Sequence, residues 1–231
     1  MPKYIEELVN QQISRSEASR LSQMEEGKPC KTPIITISRR MGSGARIVAN
    51  MLAEELNWSL WDKEILDAMA DDADVSRKVV EKFDEKPLSD FELFARGLMG
   101  EHAVAGFVYY KRLAKVVKGI AKLGNAIILG RGANFLLPEA LNVRIDAHDE
   151  LRIRNMMSYE DMNYHDAEEK IHNSDREREE FLYRVYGKEQ VQKTTYDLII
   201  MMDKFTNQGA VNTIKAALKD LCAGGRQELQ T

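Results

Sequence analysis

The chain has 231 residues, of which 44% are hydrophobic and 30% charged, and its formal net charge at pH 7 is -4. This length and apolar content suit one α/β domain, and the interspersed charges leave no basic footprint that would indicate nucleic acid as a partner. No apolar run reaches the roughly 20 residues that cross a bilayer, so we expect a cytoplasmic protein with no membrane partner. Cys30 and Cys222 are far apart in the sequence, which predicts neither a disulfide nor a metal site and fits a reducing compartment.

The first predicted element is an amphipathic helix in an N-terminal extension and linker, residues 1–30. Ile5, Leu8, Val9 and Ile13 recur at helical spacing, and a mostly polar stretch follows them. Such a stripe packs either on its own domain or on a second copy of the chain. We expect the first arrangement, and a homodimer through this helix is the alternative.

The next stretch joins a strand to a helix through a glycine-rich turn. Residues 34–37 are apolar and predict a buried strand, and the apolar residues after position 46 recur with a helical period. Backbone amides of the turn and the positive end of the helix would converge on one point, which suits a polyphosphate. We expect Ser43 to be the N-cap of this helix. The turn consists of Gly42, Ser43, Gly44, Ala45 and Arg46.

This turn departs from the standard phosphate-loop pattern G-x-x-x-x-G-K-[ST]. With Gly44 as the second glycine, Arg39 replaces the first glycine and Ala45 replaces the lysine. Arg46 stands where the pattern has the hydroxyl residue that binds magnesium. An ordinary glycine turn between a strand and a helix is therefore the alternative on these residues alone.

A short strand is predicted at residues 57–61, with Asp62 at its C-terminal end. Ligands of open parallel sheets bind outside such ends, so Asp62 is a candidate contact to substrate. Capping of the following helix explains this aspartate nearly as well. From residue 67 to residue 122 the pattern is mostly helical.

A nearly continuous apolar run at residues 125–129 predicts a central strand that is covered on both faces. The run ends in Gly130, Arg131 and Gly132. An arginine at this edge of the sheet is well placed to hold a phosphate through a bidentate fork. A surface arginine in a loop is the alternative.

A highly charged segment at residues 158–184 follows a fourth predicted strand, at 141–145, and a helix that Asp149 should cap. The segment is either a solvated helix pair or a lid that brings arginines over a transferring phosphoryl group. A last strand at 196–202 and a helix at 210–221 complete the pattern. This alternation favours a parallel sheet with right-handed crossovers and helices on both faces.

Six ordered motifs resemble the cytidylate kinase-like family of nucleoside monophosphate kinases, over about residues 33–218. The motifs are Ile37-Ser38-Arg39 with the turn Gly42 to Arg46, Asp62-Lys63-Glu64, Phe83-Asp84-Glu85-Lys86, Gly130-Arg131, Asp175 with Arg178, and Tyr196-Asp197-Leu198. The resemblance implies a P-loop NTPase-type, three-layer α/β fold with a five-stranded parallel sheet. It also implies a kinase-like domain at residues 31–223, with a helical monophosphate-binding insertion at 67–122 and a lid at 156–190.

The implied reaction transfers the γ-phosphoryl group of ATP to a nucleoside monophosphate, with CMP or dCMP as the expected acceptor. ATP is the co-substrate, and Mg²⁺ binds through its phosphates. The turn would offer its amides to ATP, while Asp62 and Arg131 would bind the acceptor. The resemblance implies three catalytic residues, Arg46, Arg152 and Arg178, and a lid group of Asp175, Arg176 and Arg178.

Two positions differ from true cytidylate kinases, because Ala45 and Gly132 replace a lysine and an aspartate. Loss of a charged contact to the developing phosphoryl charge costs on the order of 3 kcal/mol, or about a hundredfold in rate. Arg39, Arg40 or Arg46 could supply the missing charge. The alternatives are a catalytically weak nucleotide-binding or regulatory protein and a kinase for another small molecule.

Overall fold

The computed structural model describes residues 3–25, 33–71 and 104–223, which form five strands and nine helices. The strands are β1 (Ile34–Arg39), β2 (Ser59–Trp61), β3 (Ala126–Leu129), β4 (Leu141–Asp146) and β5 (Leu198–Met201). The helices are α1 (Lys3–Glu25), α2 (Ala45–Leu56), α3 (Lys63–Asp71), α4 (Val104–Leu123), α5 (Ala133–Leu136), α6 (Asp149–Glu160), α7 (Tyr164–Tyr186), α8 (Lys188–Gln192) and α9 (Asn207–Cys222).

The five strands form one parallel sheet in the order β2-β3-β1-β4-β5. Strand β1 lies at its centre, where Ile35 is in register with Ile127 of β3 and with Leu141 of β4. Helices cover both faces of these strands, which explains their continuous apolar runs. The predicted five-stranded, three-layer α/β fold is thereby confirmed.

The core has two halves, one on each face of the sheet. Helices α2 and α9 pack on one face, and α1, α3, α4 and the end of α7 pack on the other. Because all strands are parallel, the loops that follow β1, β2, β3 and β4 lie along the same edge of the sheet. This is the edge at which ligands of such sheets bind.

Helix α1 packs on its own domain, the first of the two arrangements expected from the sequence. Ile5 and Val9 are buried in the core. The Arg15 side chain donates a hydrogen bond of 2.8 Å to the carbonyl of Ala53, and the hydroxyl oxygens of Ser16 and Ser59 lie 2.6 Å apart. The helix is therefore fixed to α2 and to β2 by apolar and polar contacts.

Several boundaries differ from the sequence expectations. Strand β2 begins at Ser59, and β5 covers only Leu198–Met201. Helix α9 begins earlier than expected because Thr206 caps it, with its hydroxyl accepting from the amide of Gly209 at 3.0 Å. Residues 72–103, which hold the motif at 83–86, lie outside the described residues.

Cys222, at the end of α9, forms a disulfide, so the cysteines do not support the reducing compartment that was expected from the sequence. None of the helices within the described residues combines the length and the apolar character needed to span a membrane.

The docking of α1 can be tested with one buried and one exposed side chain of that helix. Ile5 is 5% exposed and Leu21 is 61% exposed. We expect Ile5→Ala to lower the free energy of unfolding by about 2 to 4 kcal/mol, since it leaves a cavity in the core. Leu21→Ala should change it by less than about 0.5 kcal/mol. Urea denaturation measures both, and equal effects would contradict the docking.

Candidate functional site

The glycine-rich turn at the end of β1 leads directly into α2. Gly44 is the N-cap of α2 and has a left-handed backbone (φ 77°), and no side chain caps the helix. The prediction of Ser43 as the N-cap is therefore wrong, because the left-handed glycine occupies that position. The Ser43 side chain is buried instead, and its hydroxyl has no hydrogen-bond partner within the described part of the chain.

Several amides of the turn remain free to bind an anion. The carbonyl of Gly44 accepts from Ile47 and Val48, and the amide of Ser43 donates to the carbonyl of Arg40 at 3.3 Å. Among the residues that the structure describes, the amides of Gly44, Ala45 and Arg46 donate to no protein acceptor. Free amides at the start of a 12-residue helix are groups that can bind an anion. The order of strand, turn and helix is the one that the sequence predicted.

Helix α6 fixes the outer half of the turn. The Arg152 side chain donates to the carbonyl of Met41 at 2.7 Å, and the Asn155 amide donates to the carbonyl of Gly42 at 2.8 Å. A Cβ atom on Gly42 would lie 2.5 Å from the carbonyl oxygen of Arg152, so only glycine allows this approach. The sequence analysis missed Asn155, although its spacing of three from Arg152 places both on one helix face.

An ion-pair network joins α6 and α7 to the turn. The fully buried Arg152 side chain lies 2.8 Å from Asp175 and 2.7 Å from Asp149. Arg40 also pairs with Asp175, at 2.7 Å, and lies 3.4 Å from Asp149. Arg152 thus holds the turn in place and is neutralised by carboxylates.

Asp149 has a different role from the cap that was predicted. The residue before it, His148, is the N-cap of α6 and makes no side-chain capping bond. The carboxylate of Asp149 is engaged by Arg152, so it is not available to the helix amides. Burial alone would raise the pKa of Asp149, but the hydrogen bond and charge of Arg152 outweigh it and lower that pKa.

Asp62 caps α3 and binds Arg46. One carboxylate oxygen accepts from the amides of Glu64 and Ile65, at 3.1 and 3.2 Å, and the other lies 2.5 Å from the Arg46 guanidinium. The hydrogen bond to Asp62 raises the pKa of Arg46. Asp62 borders a cavity of about 250 Å³ between α1, α2 and α3. The Arg46 guanidinium is therefore held beside the end of β2.

Arg131 lies in a loop of three residues with positive φ, at 91°, 53° and 64° for positions 130–132. Its guanidinium pairs with Asp67 and stacks 4.4 Å from the ring centre of Phe181. Its Nε atom is buried and has no hydrogen-bond partner among the described residues. A Cβ atom on Gly132 would overlap the ring of Tyr186, so a larger residue does not fit the loop as it stands.

A cavity of about 380 Å³ lies where β1 and β3 end and α7 crosses them. Its walls carry more cationic than anionic side chains. They include the cations Arg39, Lys63, Arg131, Arg144, Arg178 and Arg184 and the carboxylates Glu177 and Glu180, together with Ser38, Asn134 and Phe181. The predicted residues Arg131 and Arg178 meet here, whereas Arg176 is bonded to Asn173 on its own helix and does not line the cavity.

Arg39 and Arg178, both partly buried, and the exposed Arg184 form no ion pair and no side-chain hydrogen bond within the described residues. Carboxylates act on two of them at longer range, Asp62 and Glu64 on Arg39 and Asp175 on Arg178. Burial and the nearby charge of Arg39 lower the pKa of Arg178 to about 10, and burial followed by the charge of Arg46 lowers the pKa of Arg39. Both stay protonated at neutral pH, so the cavity attracts anions. The sequence named Arg39 only as one of three arginines, with Arg40 and Arg46, that could supply the missing charge, and the structure places it at the end of the central strand.

A resident metal ion does not fit this set of side chains. Arg46 occupies the position of the magnesium-binding hydroxyl. No group of three metal-ligating His, Cys, Asp or Glu residues exists in the described ranges. A magnesium ion that reaches the site would be held by the phosphates of its nucleotide.

Comparisons with known proteins agree with this geometry. The model of the cytidylate kinase-like family matches residues 34–204, well over half of the chain. The solved structure of an uncharacterized protein from Eubacterium ventriosum is 22% identical, with a TM-score of 0.57, and the match covers 81% of this chain and 98% of that chain. It shows a shared fold. A search of curated proteins gives no match.

Two solved shikimate kinases are less similar. The one from Bacteroides thetaiotaomicron is 18% identical, with a TM-score of 0.45, over 81% of this chain and 98% of that chain. The one from Acinetobacter baumannii, in complex with shikimate, is 16% identical, with a TM-score of 0.41, over 86% of this chain and 97% of that chain.

The ion-pair network can be tested at Asp175. We expect Asp175→Asn to lower the free energy of unfolding by about 3 kcal/mol, because the buried Arg152 loses one of its two charged partners. Glu169, exposed on the same helix, is the control, and Glu169→Gln should change the free energy by less than about 0.5 kcal/mol. Urea denaturation measures both variants. Similar small effects would mean that the network does not hold α7 to the turn.

Proposed function

The chain belongs to the cytidylate kinase-like family, and from this premise we propose that it transfers the γ-phosphoryl group of ATP to a nucleoside monophosphate, with CMP or dCMP as the expected acceptor. The family and the fold are those of a nucleotide or small-molecule kinase. The acceptor and the activity itself are the proposal.

One observation carries the proposal: free amides and guanidinium groups without ion pairs lie at the same edge of the sheet. The amides of Gly44, Ala45 and Arg46 are free to bind the ATP phosphates. The cavity at this edge presents Arg39 and Arg178, which form no ion pair within the described residues. A polyphosphate on the amides and a second anion in the cavity would therefore be adjacent, as phosphoryl transfer requires.

The reaction needs no protonation step on the protein. A phosphate oxygen of the acceptor forms a bond to the γ-phosphorus, and the bond from that phosphorus to the β,γ-bridging oxygen breaks. The bridging oxygen keeps the electron pair and leaves on ADP. In this proposal Arg178 contacts the transferring group, and Arg131 contributes its free Nε-H to the acceptor phosphate while its Nη2 binds Asp67.

ATP is expected to enter as its magnesium complex. The ion is part of the substrate, because Arg46 replaces the residue that would otherwise hold it. It would neutralise charge between the β- and γ-phosphates, and the protein contributes orientation and cationic groups.

The second candidate is a nucleotide-binding protein with little catalysis. It is favoured by the positions of the cations near the turn: Arg40 and Arg152 are bound to carboxylates, and Arg46 is held by Asp62. With Ala45 in place of the lysine, the turn itself brings no free charge to the γ-phosphate.

An ADP-release assay with CMP, dCMP and UMP separates the two candidates. We expect ADP release that depends on one of these acceptors. We also expect a rise in melting temperature with ATP, since ligand binding to the folded state stabilises it. A nucleotide-dependent rise in melting temperature without ADP release would support the second candidate.

Arg178 is the residue to vary in the same assay. We expect Arg178→Met to lower kcat about a hundredfold, because it removes a cation from the developing phosphoryl charge. Arg154→Met is the matched control, since Arg154 is 69% exposed on α6 and pairs only with Glu150 there. Its kcat should equal that of the unaltered protein. Loss of activity in both variants would indicate a general effect of charge.

A further inference from the structure

The turn lacks the lysine of the standard phosphate loop, and with it one positive charge. In the standard loop that lysine reaches the β- and γ-phosphates, and here Ala45 stands in its position. Three arginines lie next to the turn in sequence, at positions 39, 40 and 46. Their contacts in the folded chain decide which of them is free to take over its role.

Arg40 and Arg46 are already committed to carboxylates. Arg40 lies 2.7 Å from Asp175, 3.4 Å from Asp149 and 3.8 Å from Asp146. Arg46 lies 2.5 Å from Asp62 and 54% of its side chain is exposed. Either side chain would have to give up charged partners before it could bind a phosphate.

Arg39 has the opposite environment. It is the last residue of the central strand, in register with Ile145 of β4, so it stands at the ligand-binding edge of the sheet. Its side chain lines the cationic cavity together with that of Arg178. Within the described ranges it forms no ion pair and no side-chain hydrogen bond.

The charge of Arg39 also reaches both sides of the site. The lowered pKa of Arg39 is due first to burial and then to Arg46 at the start of α2, while Asp62 and Glu64 act in the other direction. The charge of Arg39 in turn lowers the pKa of Arg178 on α7. Arg39 therefore interacts electrostatically with Arg46 of the turn on one side and with Arg178 of α7 on the other.

We propose that Arg39 supplies the positive charge that the missing lysine supplies in the standard phosphate loop, by contacting the phosphoryl group that passes from ATP to the acceptor. This inference rests on the proposed function and adds a catalytic residue to it. A guanidinium has a planar fork of donors, and none of those of Arg39 is used by a described residue. When the γ-phosphorus forms its bond to the acceptor oxygen and loses its bond to the bridging oxygen, Arg39 and Arg178 would hold its equatorial oxygens.

The same arrangement predicts an unusual effect on stability. Arg39 is partly buried, repels Arg178 and has no ion-pair partner among the described residues that its removal would leave unpaired. Its removal should therefore leave the ligand-free protein as stable as before, or more stable, while anion binding is lost. A residue with a structural role would show a loss of stability.

The experiment compares Arg39→Met, Arg39→Lys, Arg46→Met and the control Arg154→Met. Isothermal titration with inorganic tripolyphosphate, a mimic of the ATP tail, measures anion binding without turnover. We expect Arg39→Met to weaken tripolyphosphate binding about 10- to 100-fold, because the variant loses charge-assisted hydrogen bonds to the anion. Arg46→Met should weaken it less than Arg39→Met, Arg39→Lys should recover part of the loss, and Arg154→Met should bind as the unaltered protein does.

Thermal unfolding of the ligand-free variants and kcat with ATP complete the test. We expect Arg39→Met to melt no lower than the unaltered protein and to lose about a hundredfold in kcat. The proposal is overturned if Arg39→Met binds tripolyphosphate normally, if Arg46→Met loses more, or if Arg39→Met melts at a clearly lower temperature. An unaltered protein that does not bind tripolyphosphate would overturn it as well.

Failure of the proposed function gives a different result from failure of this inference. If the unaltered protein binds tripolyphosphate but releases no ADP with any acceptor, the kinase proposal fails. The binding ratios of the variants then still decide whether Arg39 is the cation of the phosphate site.

Discussion

The close contact between helix α6 and the turn after β1 is the constraint on which the site depends. Arg152 and Asn155 bind the carbonyl oxygens of Met41 and Gly42, and these bonds fix the direction of the peptide planes. With the carbonyls turned toward α6, the amides further along the turn are left for a ligand. Because Gly42 has no side chain, the turn can lie against the backbone of Arg152 in α6. The anion site is thus assembled by contacts from a distant part of the sequence.

The distribution of charge around the turn divides the arginines into two groups. Arg40 and Arg152 share carboxylates and serve to hold elements together. Arg39 and Arg178 face the cavity without such ion pairs within the described residues, and the charge of Arg39 lowers the pKa of Arg178. Burying charge without compensation costs stability, and proteins tolerate that cost where an anionic substrate completes the arrangement. The same residue type therefore builds the scaffold in one place and the binding site in another.

Much of the fold followed from the sequence, because hydrophobic periodicity is a local property and alternating strands and helices admit few topologies. The turn and Arg131 each follow a strand, so a parallel sheet places both at one edge, whereas Arg178 lies within α7 and was implied only by the family resemblance. The partners of the charged residues did not. Whether an arginine forms an ion pair with a carboxylate depends on how α6 and α7 pack against the sheet. The amino-acid composition does not distinguish a paired arginine from an unpaired one. For that reason the burial of Arg152, and the lack of an ion pair at Arg39 within the described residues, could be learned only from the structure.

The hydrogen bond between Gln12 of α1 and the amide of Leu60 has a consequence for assembly. Strand β2 ends the sheet on one side, and an edge strand with free amides is a template on which another chain can add a strand. The glutamine oxygen occupies one of those amides at 2.8 Å, and α1 lies along the strand. The N-terminal helix thus covers part of this border of the sheet.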